Sequence, residues 1–158
     1  MRYLSKIFLS ICLVTGLGAA TAYAQMPSNI TLEASIPHAF VVGNTTLPAG
    51  KYTIAVADYD DPSVLEIRSA DGRTSAVFET DSARADQAPN KSELVFDKVG
   101  DRNFLSQIFF EGEKSGSQVP TSRMEKRLED KGLKAEQHSV AGIKRESKRS
   151  NQSASTGP

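Results

Sequence analysis

The chain has 158 residues, with 19 basic and 19 acidic side chains that cancel to a formal net charge of zero. Beyond residue 24, basic residues are in excess only after residue 130, in a stretch without aromatic side chains, while residues 25–130 are acidic. That distribution excludes nucleic acid as a partner, which needs a basic face and stacking platforms.

Residues 1–24 have the pattern of a signal peptide. Arg2 and Lys6 form a positive start, residues 7–17 an apolar run, and Ala22-Tyr23-Ala24 a small-x-small cleavage signal. The apolar run is far shorter than the about 20 residues of a membrane-spanning helix. The expected mature chain starts at Gln25, is exported to periplasm or medium, and has no transmembrane segment. Cys12, the single cysteine, lies in the segment to be removed and is not placed for lipid attachment. The mature domain must therefore fold without disulfides.

Residues 25–118 read as one β domain. Ile30, Leu32, Ala34 and Ile36 alternate with polar neighbours, which predicts a strand with one wet face. Pro37 ends it before an apolar run at 39–42. Leu47-Pro48-Ala49-Gly50 reads as a turn in which Pro48 presets φ and Gly50 takes the positive-φ position. Tyr52, Ile54 and Val56 then alternate along the next strand. The carboxylates Asp58, Asp60 and Asp61 crowd the following turn. They are the candidate ligands for a hard cation such as Ca²⁺, against their ordinary use as turn residues. No Asp-x-Asp-x-Asp-Gly loop surrounds them, and Pro62 cuts the run.

Asp71-Gly72 predicts a type I′ hairpin. Counting outward pairs Ile67 with Ala76 and Leu65 with Phe78 on one face, so turn chemistry and polarity agree on the register. Residues 81–91 read as a polar loop, and residues 93–99 and 102–110 as a second hairpin around Gly100-Asp101. A three-residue loop there aligns Phe96 with Phe104 and gives the cleaner apolar face, so it is the expected register. The last strand is apolar on both faces. Strict alternation sends Phe104, Ile108 and Phe110 to the core with Tyr52, Ile54 and Phe78. It sends Leu105 and Phe109 to the opposite face, where a cover is needed.

Ser122 and Glu125 have capping-box spacing, and Gly132 is placed to end a short helix within residues 119–132. Met124 and Leu128 are its apolar edge. The expectation is that they cover Leu105 and Phe109, and these four residues are the candidate interaction face. Residues 133–158, polar and basic, read as a disordered tail.

Catalytic signatures are sparse. His38 and His138 are the only histidines; with the second assigned to the tail, neither a Ser-His-acid triad nor a zinc site of the usual N/S type is expected. No Gly-rich phosphate loop is present, residues 112–116 reading simply as a loop. No cofactor and no catalytic residue is assigned.

The runs Phe40-Val41-Val42-Gly43-Asn44, Leu47-Pro48-Ala49-Gly50-Lys51-Tyr52 and Gly100-Asp101-Arg102, with Phe104-Leu105-Ser106-Gln107-Ile108, resemble a family of small secreted acidobacterial proteins. That family has no assigned activity, so the resemblance implies export and carries no functional residue over. Leu-Pro-Ala-Gly-x-Tyr is also similar to the strand entry of prealbumin-like sandwich modules. Since Asp71-Gly72 follows the turn instead of preceding it, this likeness implies antiparallel β structure alone. The combined expectation is an all-β antiparallel sandwich or barrel of about seven strands with one short helix. Its expected function is non-catalytic, a binding or structural module with a protein or envelope partner. The alternatives are a small hydrolase using paired carboxylates and a barrel that carries an apolar ligand.

Overall fold

In the computed structural model of the protein, residues 30–146 are described. The expected signal segment with Cys12, and the tail from residue 147, lie outside the described residues. Among the described residues eleven strands, against the about seven expected, and one helix form an all-β fold whose sheet nearly closes into a barrel.

Strand β1 (Ile30–Ile36) buries Ile30, Leu32, Ala34 and Ile36 as its alternation predicts. After Pro37 the chain makes a small hairpin of β2 (Phe40–Val42) and β3 (Thr45–Leu47). The positive φ near here falls at Gly43, not at Gly50, which already begins β4 (Gly50–Val56). Tyr52 fastens the turn between β3 and β4 by donating its hydroxyl to the Pro48 carbonyl at 2.8 Å.

β4 pairs with β1 on one side and with β5 (Val64–Ser69) on the other, and β5 pairs with β6 (Ser75–Glu79). The β5–β6 register is the expected one, Leu65 opposite Phe78 and Ile67 opposite Ala76. The turn is not type I′. Gly72 N–H donates to the Ser69 carbonyl at 2.9 Å, and Ser69 N–H to the Thr74 carbonyl at 2.8 Å, which leaves four loop residues. Asp71 organises that loop, because its Oδ1 accepts from the Ser69 hydroxyl and the Arg73 N–H.

The second half contains β7 (Asp81–Arg84), β8 (Glu93–Val99), β9 (Arg102–Phe109) and β10 (Ser115–Gln118). The β8–β9 hairpin corrects the expected register. Gly100-Asp101 is a two-residue turn, so Asp97 lies opposite Phe104 and Phe96 opposite Leu105. A bulge then inserts Ser106, and beyond it Val95 faces Gln107 and Leu94 faces Ile108. One extra residue reverses the facing of everything beyond it. Leu105, Ile108 and Phe110 therefore share the core with Phe96, Tyr52, Ile54 and Phe78. Phe104 turns outward into a second cluster with Val41 and Val99. The bulge is held by its own groups: Ser106 Oγ donates to the Val95 carbonyl, and the Ser106 carbonyl accepts from Val119 N–H at 2.8 Å.

β9 has two neighbours on one side. β2 runs parallel to its start, the exception to the antiparallel expectation, and β10 pairs with its end. β7, expected to be loop, pairs with β10. Gly116, also expected to be loop, lies in β10, where a Cβ would collide with the Ile108 carbonyl and the Phe109 ring. Phe109 thus packs over a glycine on the neighbouring strand and needs no helix to cover it.

Helix α1 (Arg123–Glu129) starts on the predicted capping box and is followed by Gly132 at φ 87°. Its Met124 and Leu128 pack on the cluster of Val41, Val99 and Phe104. The helix does cover the outer face of β9, but through Phe104 and not through Leu105 or Phe109.

The main correction concerns residues 133–146, expected to be disordered. They contain β11 (Ala135–Glu146), the longest strand described. Its first part, through Ala141, pairs with β8, and its last part, from Gly142, pairs with β1. The strand order is β3-β2-β9-β8-β11-β1-β4-β5-β6, so β11 joins the two halves of the sheet. Composition failed here because β11 is held through its backbone more than its side chains. Gly142 helps, since a Cβ there would come within 2.7 Å of the Leu32 side chain.

Two outcomes follow. A chain ending at Gly132 should lose its cooperative thermal transition, because β1 and β8 are both left with unpaired edges; a melt unchanged from the full chain would contradict the topology. Phe104→Ala should cost about 3–5 kcal/mol and lower amide-exchange protection in α1, whereas Phe109→Ala should leave α1 protected.

Candidate functional site

The sequence candidates do not come together as one site. Asp58 accepts from Asp60 N–H at 2.9 Å, and Asp61 accepts from the Ser63 N–H and hydroxyl. These hydrogen bonds are those of turn residues, and the Ser63 contacts hold the Asp61 carboxyl below its usual range. Leu105 is in the main core, Phe109 packs over Gly116, and Met124 and Leu128 meet Phe104. Among the described residues, no group of three or more His, Cys, Asp or Glu side chains is arranged to hold a metal ion.

The structure brings two other groupings together. The first is a carboxylate pair between α1 and β8. Glu125 is only 6% exposed, accepts from Ser122 N–H at 3.3 Å, and donates its own N–H to the Ser122 hydroxyl. Burial pushes its carboxyl up to about 7, the Ser122 N–H opposes the rise, and Asp97 and Glu129 add to it by repulsion. Asp97 turns this way because it lies opposite Phe104. Its Oδ1 is buried without a hydrogen-bond partner. The pair can hold a proton, but it lies against the helix and not in an open cleft.

The second grouping lies where the chain leaving β1 meets β8 and β11. β11 places His138 opposite Phe96, and the turn after Pro37 brings His38 to the same point. The two Nε2 atoms are 3.4 Å apart. The His138 ring stacks on Phe96 with centroids 5.6 Å apart and 22° between planes, and His38 meets the same ring edge-on at 5.2 Å. Phe96 in turn packs edge-on against Phe40, and Phe40 against Tyr52. The histidines thus form the half-buried polar end of an aromatic stack that continues into the core.

Around them is a groove of about 410 Å³, lined also by Lys98, Asn103, Glu136 and Gln137. Lys98 and Glu136 are opposite each other in the β8–β11 ladder. Burial, then repulsion from His138, pushes the His38 pKa down, which favours a neutral imidazole with a free lone pair. Sequence reasoning missed this pair because it assigned His138 to a disordered tail. Val140 is the single apolar side chain of this strand that packs against the core, too little to give a period.

The acid pair gives a pH prediction. From pH 4.5 to about 7 the folded chain keeps the Glu125 proton that the unfolded chain has lost. Folding takes up a proton in that window, so this contribution to stability is complete below 4.5 and is lost as pH rises through 7. Glu125→Gln should flatten that part of the stability–pH curve, with the capping contact kept by the amide oxygen. Urea midpoints of both proteins across the window check this.

Comparison of the chain with protein-family models, with curated proteins and with solved structures found no match.

Proposed function

We propose that the chain is an exported, non-catalytic binding or structural module of the periplasm, envelope or medium. The observation that carries this reading is the placement of the Asp97 and Glu125 carboxylates. They lie where α1 packs on the sheet, with Glu125 buried in the capping box. Carboxylates that hydrolyse glycosidic bonds must instead flank an accessible substrate. The apolar residues are spent in the same way: side chains from both halves of the sheet meet in one core, which favours a packed module over a carrier with an apolar interior. No helix among the described residues is long and apolar enough to cross a membrane. Export is supported by the charged start, apolar run and Ala22-Tyr23-Ala24 of the first 24 residues. The resemblance to small secreted acidobacterial proteins points the same way.

Mass spectrometry of the exported fraction should find a chain beginning at Gln25; soluble protein retaining Met1 would overturn export. The mature chain should not turn over chromogenic glycosides or esters above the buffer rate. Turnover that disappears in Asp97→Asn or Glu125→Gln would replace the module with the hydrolase.

A further inference from the structure

We propose that His38 and His138 form a two-histidine chelate for a divalent transition-metal ion, Zn²⁺, beside the buried Phe96 ring. The inference is independent of the export reading and rests on the geometry of the pair. Zn–N(His) bonds are about 2.0–2.1 Å, so two imidazole nitrogens on a tetrahedral ion are separated by about 3.3–3.4 Å. The Nε2 atoms are 3.4 Å apart without an ion between them. A square-planar ion would need cis nitrogens at about 2.8–2.9 Å, so the existing spacing favours Zn²⁺ over Cu²⁺.

The rings are also held in place. Both pack on Phe96, which is fully buried, one by stacking and one edge-on. His138 is fixed in the β8–β11 ladder, and His38 follows the constrained Pro37. Little side-chain freedom is left to lose on binding, which favours affinity. The half-buried rings face an open groove, which gives an ion a path in.

Protons balance simply. In the metal-free chain with both rings neutral, the 3.4 Å contact accommodates an Nε2–H on one ring facing the Nε2 lone pair of the other. On binding, the donor ring moves to its Nδ1–H tautomer, and both Nε2 lone pairs go to the ion with no net proton released. Two protein ligands leave the remaining positions to water or to an external ligand. Glu136, two residues before His138 on the same strand face, lines the same groove and offsets the charge of Lys98.

The test is calorimetric titration of Zn²⁺ alone into the untagged chain at neutral pH, together with ¹⁵N spectra of the histidine side chains. One ion should bind per chain, and both Nε2 resonances should move. His38→Gln and His138→Gln should each weaken binding at least tenfold while keeping a cooperative melt. Lys98→Gln should leave binding unchanged or tighten it. The proposal fails if wild type binds no Zn²⁺, or binds it no tighter than the His38→Gln/His138→Gln double variant. It also fails if Zn²⁺ binds without moving the Nε2 resonances, a readout that needs only wild-type protein.

Discussion

Main-chain hydrogen bonding along β11 joins the two halves of the sheet, with residues 135–141 pairing with β8 and residues 142–146 with β1. A strand placed between two others satisfies its own N–H and C=O groups and one edge of each neighbour. That is why a segment with few large apolar side chains can be essential. Its side chains alternate between exposed and half-buried. Gly142 lies against the Leu32 side chain where a Cβ would intrude. Once β11 is in place, the core residues of β1, β4 and β5 face those of β8 and β9 across one interior.

The bulge at Ser106 is the second constraint. Without it, β9 would send Leu105 and Ile108 to opposite faces. With it, Leu105, Ile108 and Phe110 share the core, and Phe104 is freed to meet α1. The same register puts Asp97 opposite Phe104, so a carboxylate is carried toward the capping box of the helix. Glu125 then serves twice, as a cap and as one member of a repelling pair. Burial of the carboxyl, with repulsion from Asp97 and Glu129 as a smaller addition, is what raises the Glu125 pKa. Stability of the helix and protonation of Glu125 are one linked equilibrium.

The histidine pair depends on both constraints. β11 brings His138 to β8, and the β8 register turns Phe96 inward beneath it. Pro37 ends β1 and starts the turn that carries His38. The two rings therefore meet with their Nε2 atoms toward each other on a rigid aromatic base. Partial burial keeps His38 toward its neutral form, while the groove leaves the pair accessible. A buried His pair would be sealed from ions, and a fully exposed one would have no fixed geometry.

Local chemistry in the sequence determined a good part of this protein. Alternation at Ile30, Leu32, Ala34 and Ile36 defines β1, because one face of that strand is wet and the period is visible. The register of Leu65 against Phe78 follows from the turn position and polarity, and Ser122, Glu125 and Gly132 mark the helix ends. The all-β class with one short helix was legible for these reasons. The turn at Gly100-Asp101 misled because two registers differ by one residue, and only the whole sheet decides where a bulge restores the apolar face. β11 was hidden because pattern reading counts side chains, and this strand is stabilised by hydrogen bonds to partners over a hundred residues away in β1 and about forty away in β8. The histidine pair was hidden with it: His38 and His138 are 100 positions apart in the chain, and only the closing of the sheet puts them within reach of one ion.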